Sequence, residues 1–267
     1  MKSITVNLEN KGDIRIIPFS DLHIGSNKCN LGLIKSQIEK VKADKNCYAI
    51  IVGDLVNNST RTSVGDVFAQ PLSPMEQMKL AIDLFSPIKD RILAITSGNH
   101  ERRSYKDCGT DLGWFFAKSM ELEDRYDYCA PLLRLRFGNC RCHKKHPGKP
   151  TGGGDGKLNY YIYITHGDGA NGSTVGGKAN SLNKRGLIVD ADVIITGHTH
   201  QPLAFTNSAM RINRISGNVD EFTQTFVNCA STLGYEEYAE LKGMKPSSNK
   251  QPEIILHGNS FGVDVLV

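Results

Sequence analysis

Tyr48-Ala49-Ile50-Ile51-Val52-Gly53-Asp54 decides the reading of this chain: an unbroken apolar run, rich in β-branched residues, stops at a glycine and a carboxylate. A strand covered on one face alternates apolar and polar residues, whereas one covered on both faces is apolar throughout. The run therefore predicts an inner strand with its polar end where the chain leaves the sheet. The same unit recurs. Ile14-Arg15-Ile16-Ile17 leads to Asp21-Leu22-His23, and Ile92-Leu93-Ala94-Ile95 to Gly98-Asn99-His100. Tyr160-Tyr161-Ile162-Tyr163-Ile164 leads to His166-Gly167-Asp168, and Val193-Ile194-Ile195 to Gly197-His198-Thr199-His200.

Helical patterns fill several gaps between these strands. Asn30 is placed to cap a helix whose apolar face is Leu31, Ile34, Ile38 and Val41. Met75 to Lys89 reads as a second, with Met78, Ile82 and Phe85 in phase and Pro87 disturbing its last turn. Leu112, Phe115, Phe116 and Met120 mark a third, with Trp114, Phe115 and Phe116 assigned to the core. Strands also fit Met1 to Val6, the stretch near Phe226, and Ile254 to Leu256. Strand–helix alternation implies a layered α/β domain that works at the carboxyl ends of its strands, and all five polar motifs fall there.

With 267 residues, a net charge of +4 and 39% hydrophobic residues, the chain has the composition of an ordinary globular protein rather than a disordered one. No apolar run is long enough to cross a bilayer, so no membrane partner is expected. Met1 to Val6 lacks the apolar block of a signal peptide, and seven scattered cysteines read as reduced thiols; the expected location is cytoplasmic. We read residues 1–267 as a single domain. Residues 57–74 form a polar loop, 134–157 an inserted basic loop or hairpin that could cap the site, and 241–251 a loop-like tail segment.

Asp, His and Asn are hard to borderline ligands, suited to Mn²⁺, Fe or Zn²⁺ rather than Cu(I). In Asp21-Leu22-His23 and His198-Thr199-His200, a strand's side-chain period of two would aim both groups at one ion. Gly53 and Gly98 would allow sharp turns beside Asp54 and Asn99. Two ions about 3.5–4 Å apart can clamp a phosphoryl group and deliver a hydroxide in line.

The ordered set Asp21-x-His23, Gly53-Asp54, Gly98-Asn99-His100-Glu101, His166 and Gly197-His198-x-His200 resembles the calcineurin-like metallophosphoesterases over most of the chain. Each motif alone is weak; five in order, each after a strand, are strong. The resemblance implies a layered β-sandwich core flanked by helices. It implies two divalent metal ions, Mn²⁺ first, with Fe, Zn, Ni or Co as alternatives. Asp21, His23 and His200 would hold one ion, and Asn99, His166 and His198 the other, with Asp54 bridging both. His100 would stabilise the substrate phosphate or protonate the leaving oxygen, and a bridging hydroxide would attack, without a phospho-enzyme. Glu101 stands where many members have Asp and would orient a histidine through its ring N–H. Asp168 stands where some relatives carry another histidine and would touch substrate.

The expected activity is phosphoester hydrolysis, with a phosphodiester of nucleic acid or nucleotides as the favoured substrate and a phosphomonoester or phosphoprotein as the alternative. Arg102, after Gly-Asn-His-Glu, fits the protein-phosphatase alternative, although other stretches expected of that branch are missing. A scaffold that kept the fold but lost catalysis would be expected to lose ligands, and none is lost. Arg134, Arg136, Arg141, Lys144, Lys145 and Lys149 read as a solvated face or as an overhang meeting a polyanion. Gly176-Gly177-Lys178 reads as a loop and Lys184-Arg185 as a helix start, with phosphate contacts as the functional reading. Cys140, Cys142, His143 and His146 invite a zinc site, but C-x-C spacing chelates awkwardly, and a reduced hairpin is the plainer reading.

Overall fold

The inner strands are apolar on both faces because both faces are covered. The structure, a computed structural model, describes residues 1–61, 63, 67, 70–140, 156–167, 174–212, 217–235, 246 and 248–267. In one six-stranded sheet, β2 (Ile14–Phe19), β3 (Cys47–Ile51) and β4 (Ile92–Thr96) run parallel, with β5 (Tyr126–Asp127) at one edge. The antiparallel β11 (Glu253–Leu256) and β12 (Val263–Leu266) complete the other edge. The second sheet has the order β1 (Ser3–Asn7), β6 (Leu132–Cys140), β7 (Gly156–Ile164), β8 (Val193–Thr196), β10 (Val219–Asn228), β9 (Leu203–Ile212).

Strand β3 shows how the layers separate. Tyr48, Ile50 and Val52 enter a core between the sheets with Leu133, Leu135, Tyr160 and Ile162. Cys47, Ala49 and Ile51 face the other way, onto helix residues Ile34, Val41, Met78, Phe85 and Phe116. A third cluster joins Tyr163, Ile194 and Phe226 to Leu182 on the far side of the second sheet. The result is a two-sheet sandwich with helices on both outer faces, as the family resemblance implies.

Helix α1 (Leu31–Ala43) begins at Asn30, whose side chain accepts the Leu33 N–H. Helix α2 (Pro74–Phe85) has a reciprocal cap between Ser73 and Glu76 and gives way to a tighter turn over Ser86–Arg91, where Pro87 removes a donor. Helix α4 (Leu112–Ser119) buries Phe116, and Phe115 packs at the edge of the core. Trp114, assigned to the core from sequence, is instead 48% exposed. It lies two residues from Phe116, about 200° around the helix, so the two cannot share a face.

Two helices escape the sequence reading. Helix α3 (Asn99–Cys108) is polar throughout and buries only Glu101 and Ser104. Helix α5 (Val175–Arg185) opens with Gly176, Gly177 and Lys178 and buries Leu182 alone, so Lys184 and Arg185 end this helix rather than start one. The ends of the basic segment are strands of the second sheet. Leu133, Leu135 and Phe137 are buried, while Arg134 and Arg136 alternate with them. Arg141, Cys142, His143, Lys144, Lys145, His146 and Lys149 lie outside the described residues, as does most of the expected tail loop, so the C-x-C-H motif has no structural reading. No helix among the described residues is long and apolar enough to cross a membrane.

Candidate metal centre

The parallel strands end on one side of the sandwich, and their exits deliver the site. Asp21, His23, Asp54, His198 and His200 have φ of 53°, 47°, 49°, 67° and 57°. Left-handed backbone at non-glycine residues costs of order 1–3 kcal/mol apiece and persists only where the surroundings impose it. The strand periodicity expected to aim Asp21, His23, His198 and His200 is therefore not what aims them. Strands β2 and β8 stop at Phe19 and Thr196, and left-handed turns beyond them set the direction.

Buried polar side chains hold those turns. Ser231 and Thr232 donate their hydroxyls to the carbonyls of Asp21 and Leu22, at 2.8 and 2.9 Å. Asn228 donates to Thr199 Oγ1 at 2.7 Å and to the Gln201 carbonyl at 2.6 Å, bracing the turn that carries His198 and His200. None of the three was singled out from sequence, because a lone Ser, Thr or Asn after a strand carries no spacing signal. Gly53, at φ 86°, supplies the expected left-handed turn. Gly98 is extended instead, and its role is space: a Cβ there would stand 2.1 Å from Asp54 Oδ1.

Glu101 does not orient a histidine. Its buried carboxylate accepts the backbone N–H groups of Asp54 (2.9 Å), Val56 (3.1 Å) and Gly98 (2.8 Å), tying the second motif to the third. Glu101→Ala strands three buried donors at about 1–3 kcal/mol each, so a loss of at least ~3 kcal/mol is expected in urea unfolding. Unchanged stability would refute this tie.

Eight side chains converge. His200 Nε2 lies 3.2 Å from Asp21 Oδ1 and 3.3 Å from His23 Nε2. His166 Nε2 lies 3.2 Å from Asp54 Oδ2 and 3.0 Å from Asn99 Oδ1, and His198 Nδ1 is 2.7 Å from the same Asn99 oxygen. His100 Nε2 approaches Asp54 Oδ2 at 3.7 Å. Among the described residues, three overlapping sets could each hold a cation: Asp21–His23–His200, His23–Asp54–His100 and Asp54–His166–His198. His166 donates its Nδ1–H to the Val52 carbonyl at 2.8 Å, which leaves the Nε2 lone pair of the neutral ring facing two oxygens. Such a meeting of lone pairs calls for a cation. Buried His23 Nδ1 has no hydrogen-bond partner among the described residues.

The electrostatics agree. Burial opposes a charge on His166, yet the Asp54 carboxylate outweighs it and carries that ring to about 10. Burial also opposes ionised Asp21, but His200 draws it down to about 2. In the protein alone, protons on these rings balance the two carboxylates, as a cation would.

His100 is held by the Asn57 carbonyl at Nδ1, and its own N–H donates to Asp54 Oδ1 at 2.8 Å. Burial, with Arg103 adding to it, depresses its pKa. Arg102, the arginine noted from sequence, turns away from the site and donates to the carbonyls of Ser97 and Tyr128. Arg103 is the cation at the site, with Nη2 2.9 Å from His100 Nε2. One residue along a helix is about 100° of rotation, a distinction invisible before α3 was known. Asp168 lies outside the described residues.

The family profile described as calcineurin-like phosphoesterase matches residues 14–202. No curated protein matches the chain. Among solved structures, vacuolar protein sorting 29 from Cryptosporidium parvum is 14% identical, covering 96% of this chain and 98% of its own, with a TM-score of 0.47. A metallophosphoesterase from Sphaerobacter thermophilus is 12% identical, covering 92% and 84%, at 0.39. The nuclease MPE of Pseudomonas putida is 12% identical, covering 94% and 87%, at 0.33.

Proposed function

The chain belongs to the calcineurin-like phosphoesterases, and from that premise we propose that it hydrolyses phosphate esters with two divalent metal ions, acting on phosphodiesters of nucleic acid or nucleotides. The observation that carries this reading is Asp54, a buried carboxylate that shares one candidate ligand set with His23 and another with His166 and His198. Its Oδ2 lies 3.2 Å from His166 Nε2 while its Oδ1 takes the His100 backbone N–H, so one anchored, buried carboxylate is available to be shared by a metal pair.

In this reading Asp21, His23 and His200 hold one ion, Asn99, His166 and His198 the other, and Asp54 both. The donor atoms are all oxygen or imidazole nitrogen, which suits Mn²⁺ and its neighbours. When bound, such ions neutralise phosphate charge and make water a nucleophile at neutral pH. The chain's residues do the rest. The Val52 carbonyl fixes the His166 tautomer, and Asn228 braces the His198–His200 turn. Arg103 and His100 present positive charge and a ring nitrogen on the Asp54 side of the site, where a phosphoryl oxygen would be met.

The test is hydrolysis of bis-p-nitrophenyl phosphate beside p-nitrophenyl phosphate with added Mn²⁺. Mn²⁺-dependent turnover with preference for the diester is expected. No turnover of either ester with any first-row divalent metal would remove the enzyme reading, and preference for the monoester would remove the phosphodiester assignment.

A further inference from the structure

Beside the candidate centre a pocket opens between α5 and the turns that carry His166 and His198. Gly167, Gly197 and Thr199 line it on one side, and Lys178, Ser181 and Arg185 on the other. Residues three, four and seven apart share one helix face, so α5 turns both cations to the same wall. Buried Leu182 roots the helix against Phe226 and Ile194 and fixes that orientation. Lys178 Nζ donates to the Thr199 carbonyl at 3.3 Å, which places the ammonium against the turn between His198 and His200. Burial lowers the Lys178 pKa, the mark of a partly desolvated cation. Among the described residues lining the pocket there is no carboxylate.

A partly desolvated cation beside a phosphoryl site is stabilised when an anion meets it. We propose that this pocket is a second anion subsite, in which Lys178 and Arg185 receive a phosphate that flanks the phosphate held at the metals. The assignment rests on the phosphoesterase reading of the neighbouring centre. It narrows the substrate class to esters carrying two phosphates on one nucleoside-sized unit. Mono-phosphorylated compounds would leave the subsite empty.

The test is calorimetric titration of the Mn²⁺-loaded protein with thymidine 5′-monophosphate and thymidine 3′,5′-bisphosphate. The second phosphate should tighten binding about tenfold, as one or two charge-assisted hydrogen bonds allow. In Lys178→Gln combined with Arg185→Gln that ratio should fall to about twofold or less, and Lys178→Arg should retain most of it. A ratio near one in the unaltered protein, or an unchanged ratio in the double variant, would overturn the subsite. Titrating Mn²⁺ alone separates the two readings, because failure to bind the metal rejects the centre, while the bisphosphate-to-monophosphate ratio in metal-free protein still reports on the pocket. A thymidine tetranucleotide distinguishes the source of the second phosphate: tighter binding than the bisphosphate assigns a strand, and equal binding a small ester.

Discussion

Asp54→Ala is expected to lose both metal ions and to lower turnover by more than ~10³-fold, since one carboxylate serves two candidate ligand sets and removing even one charge-stabilising group costs about 10²–10³. Metal content by mass spectrometry and steady-state hydrolysis of bis-p-nitrophenyl phosphate read the two effects separately. Asp54 Oδ1 also accepts the His100 N–H at the start of α3, so alanine takes an acceptor from the helix N-terminus as well. Asp54→Asn keeps the volume and one acceptor oxygen while removing the charge, and it separates metal loss from damage to the fold. Two ions still tightly bound in both variants would contradict the bridging assignment.

The second large effect is confined to chemistry. His100→Ala should leave metal content near normal and cut turnover by ~10²–10⁴, the range for removing a proton donor or a key charge stabiliser. The two roles separate by leaving group. An alkyl leaving oxygen needs a proton far more than p-nitrophenolate does, so a larger loss on the alkyl ester identifies an acid and an equal loss identifies charge stabilisation. Normal turnover of His100→Ala would take this residue out of the mechanism. The Asn57 carbonyl and Arg103 hold the ring together, Arg103 Nη1 donating to that same carbonyl at 3.2 Å, and Arg103 is the residue sequence reading would have passed over in favour of Arg102.

What could be read from sequence was set by how much pattern each element carries. Inner strands such as β3 and β8 declare themselves because burial on both faces demands continuous apolar residues. The metal-facing groups declare themselves because Asp, His and Asn gather at the ends of those strands in a fixed order. Helix α3 is hidden by its polarity, as it packs through Glu101 and Ser104 rather than through an apolar stripe. Helix α5 is hidden by two glycines and a single buried leucine. The basic segment read as an insertion begins and ends as strands, because Arg134 and Arg136 alternate with buried Leu133, Leu135 and Phe137, and the run of charge obscured a period of two.

The positioning groups were hardest to see for a different reason. Ser231, Thr232 and Asn228 act on turns far from them in sequence, and Glu101 acts on backbone amides. Hydrogen bonds to main chain leave no mark on spacing or composition. The left-handed backbone at Asp21, His23, Asp54, His198 and His200 is equally silent, since Asp tolerates that region and nothing local in the sequence requires it of His. These contacts fix the aim of the ligands once the motifs have supplied their identity.

The central claim is that two ions share one site, and electron paramagnetic resonance of the Mn²⁺-loaded protein tests it most directly. Ions about 3.5–4 Å apart through a common carboxylate are exchange-coupled, so the account predicts a broad multiline spectrum at two equivalents of Mn²⁺ that Asp54→Ala abolishes. Only the six-line spectrum of isolated Mn²⁺ at every ratio of metal to protein would contradict it.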